Sequence, residues 1–409
     1  MAPRRAAREA GHAGHVGSTE IVHPADPPAA PPTGPELALR MQELLAEHSV
    51  LAADMMRGRM RGDEDFAQAA NAALVKNTDA MAQLLTSLSG EQAASRFRSL
   101  WSADVTAFFN YARGLADHET RVRDEARATL TIFERNLAGF FADASQGRLN
   151  RDNAQAAVHV HVDQLLRQAD AYASRDFPTA NRIYREAYTH AFALGRTLAG
   201  ALLPPDKAAV LESPVWRLRS ELDRLFAEHV ELIVDVTRSG LINSPDFTAA
   251  ADALNGNTRD LARAMDSMFG VAAATTFQSL WADHVDQLMA YTAGVVTHDA
   301  KRRDQARAKL GGFESRFASF LSTATDRKLD SANLAKAMVE HDQMLIEHAD
   351  AFAAKEYQKA HDIADEIYEY TSDLAAKLAD AFGATVATRL PKGGPETGGG
   401  GTATLVGRG

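Results

Sequence analysis

FRSLWSADVTAFFNYARGLADHETRVRDEARATL, residues 97–130, aligns without a gap on FQSLWADHVDQLMAYTAGVVTHDAKRRDQARAKL, residues 277–310. At a constant offset of 180, Trp101 pairs with Trp281, Tyr111 with Tyr291, Gly114 with Gly294 and His118 with His298. The match extends in both directions. Upstream, LLAEHSVLAADMMR (44–57) answers LFAEHVELIVDVTR (225–238), pairing His48 with His229, and NTDAMAQLLTSLSG (77–90) answers NTRDLARAMDSMFG (257–270), pairing Asn77 with Asn257. Downstream, HVDQLLRQADAYASRDF (161–177) answers HDQMLIEHADAFAAKEY (341–357), pairing His161 with His341 and Asp170 with Asp350. So long a period lies far outside the 20–50 residues of solenoid units. It predicts one domain used twice, over 36–203 and 215–385, joined by a linker at 204–214 that is stiffened by proline.

Composition says what each copy is made of. Seven of the 14 prolines fall in the first 35 residues, which are read as a disordered Pro-rich segment. Residues 386–409 are read as a disordered Gly-rich tail. Between them Ala, Leu, Asp, Glu and Arg dominate, and no window alternates β-branched residues with period two, so the fold class is all-α. Breaks at Gly58 and Gly62, Ser89-Gly90, Asp117, Gln146-Gly147 and Pro178 divide the first copy into six helices. These span about 36–58, 65–87, 90–116, 119–144, 151–174 and 178–202. Short loops make sequential helices antiparallel, giving a helical bundle in each copy.

Several functions are excluded at this level. The formal charge of −10 disfavours nucleic acid as a partner, because phosphate binding needs a basic surface. The absence of cysteine removes disulfides, thiolate metal sites and Cys nucleophiles. No apolar run approaches the ~20 residues of a transmembrane helix. GxSxG, GxxxxGK[ST] and GxGxxG signatures are lacking, so the chain is read as a binding protein rather than an enzyme.

Polar residues interrupt the apolar stripes. His48 sits among Leu44, Leu45, Leu51 and Met55, and His229 among Leu225, Leu232 and Val236. Asn77 and Asn257 break the second-helix stripes, Asp104 and His284 the third, and His161 and His341 the fifth. His348 lies seven residues after His341, and His190 falls on the sixth helix where the second copy has Tyr370. Each lies near mid-helix, so these side chains are expected at similar heights in the bundle. Two readings fit. Buried His hydrogen-bonded to Asn or Asp fixes helix register. Alternatively, imidazole and carboxylate converging in a bundle core bind Zn, Fe, Mn or Cu.

On the metal reading the ligands are His48, Asp104, His161 and His190 in one copy and His229, His284, His341 and His348 in the other, supported by Asn77 and Asn257. The exchange of Asp104 for His284 predicts two sites of differing affinity or metal preference. A redox enzyme with a bundle-held metal, and a purely structural protein, are the alternative functions. His118 and His298 are expected in the first turn of a helix, after Asp117 and Thr297 as N-caps. Trp101 and Trp281 are expected to be core packing. Asp170, Asp350, Glu186 and Glu366 are expected to pair with arginines such as Arg182 and Arg185, and His12, His15 and His23 to lie in a linker.

The pattern AEHxxL, then NTxDL, then LWxxHV followed by Tyr-x-x-Gly resembles a helical domain of secreted and cell-surface bacterial proteins, some with copper-amine-oxidase-like names. The resemblance covers nearly all of both copies and implies a surface binding module. Asp104 and Tyr370 depart from its pattern. LPKGGPETGGGG at 390–401 resembles the sorting region of actinobacterial surface proteins, which implies cell-wall attachment. The expected location is therefore the cell surface or the exterior. The cytoplasm is the alternative, because MAPRRAAREAGHAGH at the start lacks the apolar core of a signal peptide.

Overall fold

A computed structural model of the chain describes residues 32–389. The expectations for 1–31 and 390–409, including the sorting-like segment and His12, His15 and His23, lie outside the described residues. Among these the fold is all-α, with no strand. The first six helices are α1 (Gly34–Arg61), α2 (Glu64–Ser89), α3 (Glu91–Ala116), α4 (Thr120–Ala144), α5 (Arg151–Ala173) and α6 (Phe177–Leu202). The expected linker is itself helical, with a short α7 (Pro205–Ala208) and a 3-10 turn (Ala209–Glu212). The next six are α8 (Pro214–Leu241), α9 (Phe247–Phe269), α10 (Val271–Val296), α11 (Ala300–Ala324), α12 (Ser331–Ala353) and α13 (Tyr357–Arg389). Helix therefore runs past the expected boundary at 385, to Arg389.

Local chemistry sets the helix ends. Asp63, Asn150, Asp176, Ser213, Asp299 and Asp330 each accept a first-turn backbone N–H with their side chain, and Pro178 and Pro214 stand where a missing N–H costs nothing. His118 and His298 are not first-turn residues, contrary to expectation. Each has a left-handed backbone, φ 57° and 52°, in the turn after α3 and α10. Asp117 is the C-cap of α3 and Thr297 that of α10. The Glu119 N–H reaches back to the Gly114 carbonyl and Asp299 N–H to Gly294, a helix-stop geometry that the Gly recurring at 114 and 294 accommodates.

Within α1–α6 each helix packs on the next, and α6 returns to α1, which also touches α3 and α5. Helices α8–α13 repeat that pattern, with α13 returning to α8. Gly195 lets α6 approach α1 closely, since a Cβ there would stand 2.5 Å from Gln42 Cα. The helices from Gly34 onward form one compact unit, so the two halves pack against each other. Their contacts are reciprocal, α2 on α13 and α6 on α9, with α1 against α8. A core shared by both halves runs from Val50, Ala53, Phe66 and Tyr188 to Val230, Val234, Phe352 and Tyr368.

The consequence for α1 and α8 is large. Residues 41–58 and 225–239 are buried without a break, so neither helix has the solvent face that its polar residues suggest. One side faces its own half's core and the other faces the partner half. Polar residues on the second side pair across the seam. Arg57 reaches Asp235 at 3.4 Å, and its counterpart Arg238 reaches Asp54 at 2.6 Å. Tyr188 and Tyr368, 180 positions apart, share a hydrogen bond of 3.0 Å.

Candidate metal centres

The seam and the mid-bundle residues separate into distinct sites. In the first half α1, α3 and α5 bring together His48, Asp104 and His161, and in the second α8, α10 and α12 bring together His229, His284 and His341. In each triad one ligand atom per residue lies within 4.8 Å of the others. All six side chains are buried, none more than 3% exposed.

Tryptophan organises both triads. Trp101 Nε1 donates to His48 Nδ1 at 3.1 Å and Trp281 Nε1 to His229 Nδ1 at 3.3 Å. The two indoles were expected as packing alone. They also stack on Phe97 and Phe277. An indole N–H only donates, so each Nδ1 presents its lone pair and the neutral ring carries its proton on Nε2. Burial lowers His48 and His229 to about 3 and His341 to about 4, and holds His161 and His284 well below the usual value. All five rings are neutral near pH 7. Burial, with the nearby Glu134 charge, holds Asp104 well above the usual carboxylate range. The 3.5 Å approach of His48 Nε2 to Asp104 Oδ2 is therefore not an ion pair, and it is too long for a good hydrogen bond.

Donor atoms are left over in both triads. His48 Nε2, both Asp104 oxygens and both His161 nitrogens have no protein hydrogen-bond partner, nor have His229 Nε2 and both His284 nitrogens. A buried polar atom left without any partner costs about 1–3 kcal/mol. In the second half Asp342 Oδ1 lies 3.3 Å from His284 Nδ1, and Thr371 Oγ1 lies 3.2 Å from His341 Nδ1. The cavity beside Phe226, His229, Trp281 and His341 is about 10 Å³. That is about one water-probe sphere, far below the ~300 Å³ or more of organic-ligand pockets.

The other expected site residues lie elsewhere. Asn77 Nδ2 donates to the Leu44 carbonyl and Glu47, and Asn257 Nδ2 to the Leu225 carbonyl and Glu228. Both asparagines tie neighbouring helices together and hydrogen-bond to no histidine. His190 Nε2 meets the Ala157 carbonyl at 2.9 Å, and Tyr370 hydroxyl meets Ala337 in the same way. His190 borders a groove of about 810 Å³ between α6 and α9, outside the triad. His348 belongs to the seam, where Arg238 Nε donates to its Nε2 at 3.1 Å. Asp170 and Asp350 do not pair with Arg182 or Arg185. They pair with Arg127 and Arg307 instead, at 3.1 Å and 3.8 Å, and accept from the Tyr111 and Tyr291 hydroxyls. Glu186 does pair with Arg182.

Sequence reasoning missed Asp342, Glu134 and Glu314. Glu134 and Glu314 stand 180 residues apart, in FER and FES, and that recurrence was a usable signal. Asp342 had none, because its counterpart is Val162. No protein-family model matches this chain, nor does any curated protein or solved structure.

Proposed function

We propose that this chain is a non-catalytic metal-binding module that holds one transition-metal ion in each of two buried centres. Centre one is His48, Asp104 and His161; centre two is His229, His284 and His341. The carrying observation is the pair of corresponding triads whose buried donor atoms converge within 4.8 Å while most of them lack a protein partner. Nitrogen donors of a tetrahedral zinc, at about 2.0–2.1 Å from the ion, stand roughly 3.3 Å apart. The widest pair thus has at most about 1.5 Å to close, within reach of small ring movements. The roughly 10 Å³ of space beside His229 and His341 suits an ion rather than an organic substrate, which favours binding over turnover. The matching helix order of the two halves supports the reading as one bundle used twice. A cell-surface location is proposed on the resemblance of the repeated segments.

Elemental analysis of untagged protein supplied with Zn(II) tests the reading. About two equivalents are expected in the wild type and about one in His284→Ala. Protein that stays free of metal after Zn(II), Cu(II), Mn(II) and Fe(II) have each been supplied would sink it.

A second expectation follows from the tautomer. For His48 or His229 to ligate through Nε2, the ring proton must move to Nδ1 and the indole must release that atom. A coordinate bond outweighs one neutral hydrogen bond of about 1 kcal/mol. Removing the competing indole in Trp101→Phe or Trp281→Phe is expected to tighten metal binding, by up to roughly tenfold. The metal-free variants should lose about 1–3 kcal/mol of stability or more, because the buried His Nδ1 loses its donor and the smaller ring leaves a cavity. Chelator-competition titration reads the first effect and denaturant melts the second. Weaker binding in both variants would instead make His48 and His229 N–H donors to the bound group.

A further inference from the structure

The two triads differ in a directed way. Asp104 of α3 stands where α10 carries His284, and the second half regains a carboxylate one residue after His341, as Asp342. Asp342 Oδ1 stands 3.3 Å from His284 Nδ1 and outside the triad, and neither atom has a protein hydrogen-bond partner. A carboxylate beside a metal-bound imidazole and outside its ligand set is the kind of group that orients the ring once it takes the N–H. Asp104 is instead one of the converging triad groups, with its Oδ2 3.5 Å from His48 Nε2 and both oxygens without a protein partner. A further carboxylate, Glu134 of α4, adds its charge at Asp104 and is held by His159 Nδ1 at 3.1 Å. The counterpart Glu314 acts on Asp342, outside the triad. Centre one is thus two imidazoles and an inner carboxylate with acidic support, and centre two is three imidazoles with the carboxylate outside.

From this donor chemistry we infer that the centres are specialised. Centre one is a site for a harder divalent ion such as Mn(II) or Fe(II), and centre two is a site for Zn(II) or Cu(II). Carboxylate oxygen suits Mn, a two-histidine one-carboxylate set suits Fe(II), and imidazole suits Zn and Cu. Zn(II) outbinds Mn(II) at almost any such site, so the specialisation lies in the ratio of the two affinities rather than in either alone. The inference rests on the reading of both triads as metal centres.

The test uses the full chain with Mn(II) and Zn(II) as probes. His341→Ala isolates centre one and His161→Ala isolates centre two. Mn(II) binding is followed by loss of the free-ion EPR signal and Zn(II) binding by competition with a chromophoric chelator. The Zn-to-Mn affinity ratio is expected to be at least about tenfold higher at centre two. Asp104→His should raise the ratio at centre one, and His284→Asp should lower it at centre two. These two swaps, in the otherwise wild-type chain with two-site fitting, decide the matter should an alanine variant fail to fold. Equal ratios at both centres, or ratios that the swaps leave unchanged, would overturn the inference. Wild-type protein that takes up neither ion would instead overturn the metal reading beneath it.

Discussion

Arg238→Ala is expected to destabilise the protein by about 3–5 kcal/mol, the range for stripping one partner from a buried ion pair. Arg238 is 6% exposed, and its Nη1 lies 2.6 Å from Asp54 Oδ2, across the seam from α8 to α1. Its Nε serves His348 at 3.1 Å, and its guanidinium lies over the rings of Phe66 and Phe352. Truncation leaves Asp54 buried with only His361 Nε2 at 3.9 Å, and leaves His348 Nε2 without its donor. The reciprocal Arg57→Ala should cost less. Arg57 holds Gln168, Asn181 and Asp235 through contacts of 3.2–3.4 Å, and two of those three partners are neutral amides. Replacing Arg238 and Asp54 together by Met and Leu should restore much of the loss, since a well-packed apolar pair removes both buried charges. Urea unfolding curves on the three variants check the order. A loss below about 1 kcal/mol for Arg238→Ala would mean that the seam does not hold the halves together.

Acid is expected to weaken the same seam on one side only. The Arg57 side carries Gln168 and Asn181, and the Arg238 side carries His348 and His361 at the corresponding positions. His361 Nδ1 donates to the Tyr357 carbonyl at 2.9 Å, so Nε2 is the atom that acid must protonate. Burial, with the Arg238 charge, lowers His361 to about 3 and holds His348 well below its usual value. The sign follows from linkage. Above about pH 6.5 both rings are neutral folded and unfolded, and nothing is lost; below it the unfolded chain binds protons that the fold refuses. At pH 5 the His361 contribution is about 2 kcal/mol against the fold. Asp235 works in the other direction. Burial raises it to about 6, so its contribution is complete below about pH 4 and is lost as the pH rises to about 6.

His361→Asn copies the first half, where Asn181 Nδ2 makes the same bond to the carbonyl four residues back, Phe177. The variant should fold and should lose about 2 kcal/mol less than the wild type between pH 7 and pH 5. Denaturant midpoints at the two pH values measure this, and parallel losses in variant and wild type would assign the acid sensitivity elsewhere.

These seam residues show why half of the architecture was hidden in the sequence. Glu43, Glu47, Asp54 and Arg57 recur on one side of α1 and look like the wet face of an amphipathic helix. They are buried because a second six-helix set covers that face. Hydrophobic periodicity reports which face is apolar; it does not report which polar face another bundle will cover. The triads were half legible for a related reason. His48, Asp104, His161, His229, His284 and His341 stood out because each breaks an apolar stripe near mid-helix, and antiparallel helices bring such positions to one level. His190 and His348 break stripes equally well, yet the rotation of α6 and α12 turns them to a backbone carbonyl and to the seam. The Trp–His bonds and the approach of Asp342 to His284 depend on side-chain directions, to which periodicity is blind.

Local matters were legible in the chain itself. Helix content and helix ends set by caps and glycines follow from forces between residues near one another in the chain. Tertiary structure alone decided that the two halves share a core, that α1 and α8 are buried on every side, and that six of ten candidate residues close into two triads. Those outcomes depend on the rotation of each helix about its axis and on what covers its polar face. Both are fixed only when residues some 180 positions apart come into contact.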